Sequence, residues 1–187
     1  MSKSKGNFYT IDDVAHKFGA DATRIALAAA GDTLDDANFT MENVDSSILQ
    51  LSTLEMWAKD AIKNISSYRE KSVSEQTEFF DNTFYNEILH LTMLTIDSYE
   101  AMRYRDVLKW GFFELQACKD DYKIQVGAAG LRKDLVIKYL EYQLLVLYPI
   151  APHFCEMIYK DLIVEILPKE SNAPKYLAFH RLPKVNL

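Results

Sequence analysis

The chain is predicted to be all-α, an antiparallel helix bundle. Three observations point there: apolar residues recur at helical spacing through most of the sequence, Gly and Pro fall mainly at the joints between those stretches, and no run alternates with the period of a strand. Several amphipathic helices with short joints can bury their stripes only against one another, which is what a bundle does.

The elements follow in order. Thr10 is a good N-cap for a short helix with Asp12 and Asp13 in its first turn, Ile11, Val14, Ala15 and Phe18 on one face, and Gly19 as the stop. Asp21 is expected to cap a second helix through Ala22, Ile25, Ala26 and Ala29, ended by Gly31, and its many alanines suit close contact. Asp32, Asp35 and Asp36 after it are read as capping residues in preference to a divalent-metal site. Thr40 starts a long pattern through Val44, Ile48, Leu51, Ala58, Ile62 and Ile65, running to about Tyr68. A polar run separates it from a second, through Phe84, Ile88, Leu91 and Tyr99; a third covers about 104–126. Gly127 and Gly130 bracket a joint, a strongly apolar fourth helix stops near Pro149, and Pro152 opens a fifth that runs to about Leu167. The tail to Leu187 has no periodicity.

The 187 residues are 49% hydrophobic and 26% charged, an ordinary globular composition that excludes disordered and low-complexity classes. The two cysteines, Cys118 and Cys155, are far apart in apolar surroundings, which excludes a disulfide framework and a cysteine metal site. No run of 18 apolar residues is present to cross a bilayer, and no apolar stretch follows the basic N-terminus as a secretory signal requires. A soluble, cytoplasmic protein is expected. Its four histidines share no metal-ligand spacing, so no metal site is expected and structural roles are preferred for each.

A net charge of −6 argues against unselective coating of nucleic acid. Residues 99–140 are the exception, with eight Lys and Arg against six Asp and Glu. Counting about 100° per residue from Arg105 puts Lys109 near 40°, Lys119 near −40° and Lys123 near 0°, opposite an apolar face that holds Val107, Trp110, Gly111, Leu115, Cys118 and Tyr122. The stripe would extend about 27 Å, enough to follow a phosphate backbone over several nucleotides, with Arg103, Arg132 and Lys133 widening it. A solvated helix face softened by Asp106, Asp120 and Asp121 fits the same residues.

The N-terminal run Met1, Ser2, Lys3, Ser4, Lys5, Gly6 and Asn7 packs two ammonium groups, two hydroxyls and a glycine ahead of a capped helix. Such a loop can wrap a polyphosphate, because the ammonium groups offset its charge and glycine permits close backbone approach; a solvated basic terminus has the same composition. MSKSKGN resembles the KMSKS signature of class I aminoacyl-tRNA synthetases without its first lysine. GADATRIALAAAGDTLDDANF at 19–39, WGFFELQACKDDY at 110–122 and YPIAPHFCEMIY at 148–159 resemble, more specifically, the leucyl-tRNA synthetase family of archaea and the eukaryotic cytosol.

What the resemblance implies is a fragment: residues 1–38 as the KMSKS loop and stem-contact lead-in, and residues 39–187 as the anticodon-binding bundle with its tail. It implies that Lys3 acts catalytically on ATP, supplied with Mg2+ as the substrate complex, while Met1, Ser2, Ser4, Lys5, Gly6 and Asn7 shape the loop; the fragment itself holds no tight cofactor. It implies tRNA(Leu) as partner, docked through Arg103, Arg105, Lys109, Lys119, Lys123, Arg132 and Lys133, with ATP and leucine reached through a catalytic domain outside this sequence. No His-x-Gly-His segment, leucine pocket or editing domain is present, so the isolated chain is expected to be inactive. A sibling synthetase for Ile, Val or Met and a free-standing helical RNA- or protein-binding module are the alternatives.

Overall fold

The structure, a computed structural model, describes residues 9–31, 39–160, 166 and 174–181. These residues are all-α, with no strand among them. The elements are α1 (Ile11–Phe18), α2 (Ala20–Ala30), α3 (Met41–Lys63), α4 (Glu75–Glu100), α5 (Tyr104–Leu108), α6 (Leu115–Val126), α7 (Lys133–Leu147) and α8 (Pro152–Ile158). The N-terminal run Met1 to Asn7 and the acidic group Asp32, Asp35 and Asp36 lie outside the described residues, as does most of the expected extension of α8 towards Leu167.

Local chemistry sets the ends. Thr10 and Asp13 form a reciprocal capping box, the Asp13 amide donating to the Thr10 hydroxyl at 3.1 Å, and Gly19 ends α1 at φ 82°, a conformation only glycine adopts without strain. Ser74 and Thr77 make the equivalent box for α4, and Pro152 sits in the first turn of α8. α3 stops earlier than the spacing suggests, at Lys63, and a tighter turn over Ile65–Ser67 completes it.

Two expectations need correction. Asp21 is not the cap of α2, whose N-terminal flank is Gly19; its carboxylate instead accepts from the Phe154 amide at 2.6 Å, at the start of α8. The third helix is not continuous, because Lys109–Glu114 form a π-helical turn between α5 and α6. A π turn takes in one residue more than an α turn, so everything after it lags by about 100°.

The bundle is built on α4, α6 and α7. Phe84 of α4 stacks on Tyr122 of α6 with ring centres 4.2 Å apart, while Thr95, further along α4, faces Gly111, so the two segments run antiparallel. Tyr139 of α7 meets Trp57 of α3 edge-on at 5.2 Å. Leu54, Ala58, Ile88, Phe112, Leu115, Leu140 and Leu144 are almost wholly buried in one core, which Ala22 and Ile25 of α2 also enter. α2 is held there by polar clamps: besides Asp21, Arg24 donates from Nε to the Ile150 carbonyl at 2.7 Å and from Nη2 to the Pro149 carbonyl at 2.9 Å. The described tail is fixed to α8, since Glu156 accepts from the Leu177 and Ala178 amides at 3.0 and 2.8 Å.

Candidate nucleic-acid interface

The π turn is held from two sides. Gly111 lies so close to α4 that a Cβ there would sit 2.6 Å from Thr95 Cγ2. Its carbonyl, loosened from the regular ladder, accepts from Gln143 Nε2 of α7 at 2.7 Å. Gln143 is fully buried, and its own oxygen accepts from Tyr139 at 3.1 Å, so both ends of the amide are matched and its orientation is fixed.

This turn decides where the cations go. Arg103, Arg105 and Lys109 precede or open it and are exposed, as the sequence suggests. Arg103 pairs with Asp106 at 3.4 Å, and the Lys109 ammonium sits 3.9 Å above the centre of the Trp110 ring. Lys119 is a correction: the lag carries it from the open side to about 220°, the middle of the apolar face. It is 8% exposed, lies 4.7 Å over the Trp57 ring and is paired with Asp120. Lys123 stays exposed but is turned from Lys109 by about 140°. The cations therefore form no single stripe.

Arg132 and Lys133 lie at the opposite end, where α6 gives way to α7. Arg132 is half-buried and bidentate to Asp134, both contacts at 2.7 Å, with Asp81 a further 3.5 Å away; these pairings push the guanidinium's pKa up. Lys133 lies 3.3 Å from Glu70. Asp81 is the hub of this end. It accepts from Arg69, from Tyr122 at 2.6 Å and from Ser72 at 2.7 Å, in a site closed to solvent. Burial pushes its carboxyl up, but the hydrogen bonds from Arg69, Tyr122 and Ser72 outweigh that and hold it at about 2. Arg69 also donates to the Gly130 carbonyl at 2.8 Å and so fastens the glycine joint before α7.

Between the two basic ends the groove of α4 and α6 is lined by Glu87, Glu114 and Asp121, which would repel a phosphate backbone. The region best suited to nucleic acid is thus the α5 end. There the sequence reading missed the aromatic partners: Tyr104 and Phe113 are 44% and 40% exposed among Arg103, Arg105 and Lys109. A basic surface interleaved with exposed rings offers both charge and stacking, whereas the spacing of these rings alone reads as core. Among the described residues no three His, Cys, Asp or Glu side chains gather as a metal would need, and no helix is long and apolar enough to cross a membrane.

An α-helical bundle with a basic, aromatic end offers a surface on which nucleic acid can dock. Comparison gives it a family: residues 81–186 match the anticodon-binding domain of tRNA ligases, and the chain belongs to that family. Within it, the chain is similar to the cytoplasmic leucine–tRNA ligase of Saccharomyces cerevisiae, 45% identical over 163 residues that cover 87% of this chain and 14% of that protein. It is also 42% identical to that of Pongo abelii over 159 residues, 85% of this chain and 13% of the relative. The match to the Neurospora crassa enzyme is 38% over 187 residues, 99% of this chain and 16% of the relative. The chain therefore spans about one seventh of the length of the curated relatives it matches.

Proposed function

We propose that this chain is a segment of a cytoplasmic leucine–tRNA ligase, contributing the loop that closes on ATP and the bundle that docks tRNA(Leu). The observation that carries the reading is similarity to leucine–tRNA ligases along nearly the whole chain, so that the N-terminal run and the bundle belong to one enzyme. The division at residue 38 separates two roles, with the loop and lead-in on the nucleotide side and the bundle on the RNA side.

On the nucleotide side, Lys3 faces the phosphates of ATP, delivered with Mg2+, while Met1, Ser2, Ser4, Lys5, Gly6 and Asn7 shape the loop; the support is the resemblance of MSKSKGN to the KMSKS signature. As the leucine carboxylate attacks the α-phosphate, negative charge moves onto the departing pyrophosphate, and a positioned ammonium lowers that barrier. On the RNA side, Arg103, Arg105 and Lys109 meet phosphates at the α5 end, with Lys123 and Lys133 as a separate distal group. Lys119 is buried over Trp57 and Arg132 is paired with Asp134, and both serve the bundle's structure.

The test has two arms. In the full-length enzyme, Lys3→Ala should cut the rate of adenylate formation, measured by pyrophosphate exchange, by two or more orders of magnitude, and an unchanged rate ends the nucleotide-side reading. In the present chain, Arg105→Glu with Lys109→Glu should weaken binding of a leucine-tRNA transcript about tenfold and flatten its salt dependence. Unchanged binding would move the docking face elsewhere.

A further inference from the structure

At the α5 end a cavity of about 480 Å³ opens between the end of α2, the α4–α5 joint and the α7–α8 joint. Its walls are Arg24, Leu27 and Ala28 of α2 with Gly31 just past it, Tyr99 and Tyr104 from either side of the α4–α5 joint, and Pro149 with Ile150. Among the described residues, no carboxylate lines it. We infer that this cavity is a binding site for a single unstacked nucleotide of the bound RNA, its base against Tyr104 and its phosphate on Arg24. The inference rests on the tRNA-docking reading above and adds a site to it.

Three features argue for that occupant. First, Arg24 is preorganised. Its Nε and Nη2 are spent on the Ile150 and Pro149 carbonyls at 2.7 and 2.9 Å, which fixes the guanidinium plane while the residue as a whole stays exposed. A cation already fixed in place loses little freedom when an anion arrives, and the planar fork suits phosphate. Second, the two aromatic walls differ. Tyr99 is anchored, its hydroxyl donating to the Val146 carbonyl at 2.8 Å, whereas Tyr104 presents an open ring on the same short helix as Arg105. One fixed wall and one open platform suit a flat base, which stacks on any π face regardless of its identity. Third, the size and charge agree: the volume of about 480 Å³ is in the range of small-ligand sites, and an exposed guanidinium at the rim favours an anion.

The cavity is walled by both the lead-in and the bundle, so a nucleotide seated there would hold α2 against the α7–α8 joint. RNA docking and the orientation of the lead-in would then be coupled.

The test uses the present chain and a leucine-tRNA transcript. Tyr104→Ala should weaken binding about tenfold, Tyr104→Phe should retain it, and Ala28→Phe, which fills the cavity from α2, should weaken it as Tyr104→Ala does. Chemical probing of the bound transcript should show one nucleotide that is protected by the parent chain and loses protection with Ala28→Phe. If Ala28→Phe and Tyr104→Ala leave affinity and protection unchanged while Arg105→Glu with Lys109→Glu still weakens binding, the docking face stands and the nucleotide site falls. If all these variants bind normally, the docking reading itself falls and the site with it. If Ala28→Phe destabilises the full-length enzyme yet leaves RNA binding intact, the enzyme's own polypeptide fills the cavity, which overturns the site. Should Ala28→Phe unfold, Ala28→Leu with the Tyr104 pair decides: retained affinity and protection in both Ala28→Leu and Tyr104→Ala overturns it.

Discussion

Asp81 shows how much one carboxylate can do when every acceptor position is used. Its folded value of about 2 lies below the ordinary 3.8, so the folded state binds the proton less tightly than the unfolded one. Stability from this group is therefore complete above pH 4 and is lost as pH falls towards 2, by about 2 kcal/mol. Asp81→Asn removes the charge and leaves the buried Arg69 guanidinium without its carboxylate, at a cost of about 3–5 kcal/mol at neutral pH. Urea unfolding at pH 7 checks the cost, and an acid titration should show a shallower loss for the variant between pH 4 and 2; equal stabilities would show that the hub contributes little. None of this was legible in the sequence, because Arg69, Asp81 and Tyr122 are 12 and 41 residues apart and only the folded chain brings them together. The Thr10 cap, by contrast, was legible, since its partner Asp13 lies three residues away. Gly111 belongs with the illegible group. With 2.6 Å between an added Cβ and Thr95 Cγ2, Gly111→Ala should cost about 1–3 kcal/mol. The Thr95→Ala background should return part of it, and additive losses in the double-mutant cycle would mean the contact is not the cause.

At the scale of elements, helix ends were readable wherever Gly, Pro or a capping hydroxyl marked them, and helix phase was readable only as far as the ladder stayed regular. Nothing in KWGFFE announces a π turn, because what stabilises it is a glutamine 32 residues away on α7. Up to Lys109 the angular count is right; past the turn it puts Lys119 on the wrong side. This separates two lysines only four residues apart. Lys119→Met, which removes the charge and keeps the stem, should leave RNA affinity and its salt slope unchanged while lowering stability, since the ammonium sits over Trp57 inside the bundle. Lys123→Met should do the reverse, reducing the salt slope by about one if its ammonium meets a phosphate. Binding isotherms at several salt concentrations with a thermal melt of each variant decide it, and a reduced slope for Lys119→Met would mean that α6 presents its unlagged face to RNA.

For the whole molecule, the lead-in is bound to the bundle at points where helix ends need it. Asp21 supplies negative charge and an acceptor at the N-terminus of α8, Arg24 supplies a cation to carbonyls just past the C-terminus of α7, and both act from a single helix, α2. The His153 ring meets the same carboxylate, with Nδ1 3.0 Å from Asp21 Oδ1. This arrangement fixes α2 relative to the basic end of the bundle at α5. Asp21→Ala leaves the Phe154 amide without its acceptor, at a cost of about 0.5–2 kcal/mol, and leaves the α5 cations in place. Hydrogen exchange should accelerate in α1 and α2 and stay slow in α4 and α7, because the bundle keeps its own core. In the full-length enzyme, adenylate formation should persist, since the loop can still close on ATP, whereas transfer of leucine to tRNA should slow severalfold as the RNA loses its fixed register with the nucleotide site. Equal losses in both half-reactions would place Asp21 in general stability, and no loss in either would mean that the lead-in and the bundle need no rigid joint.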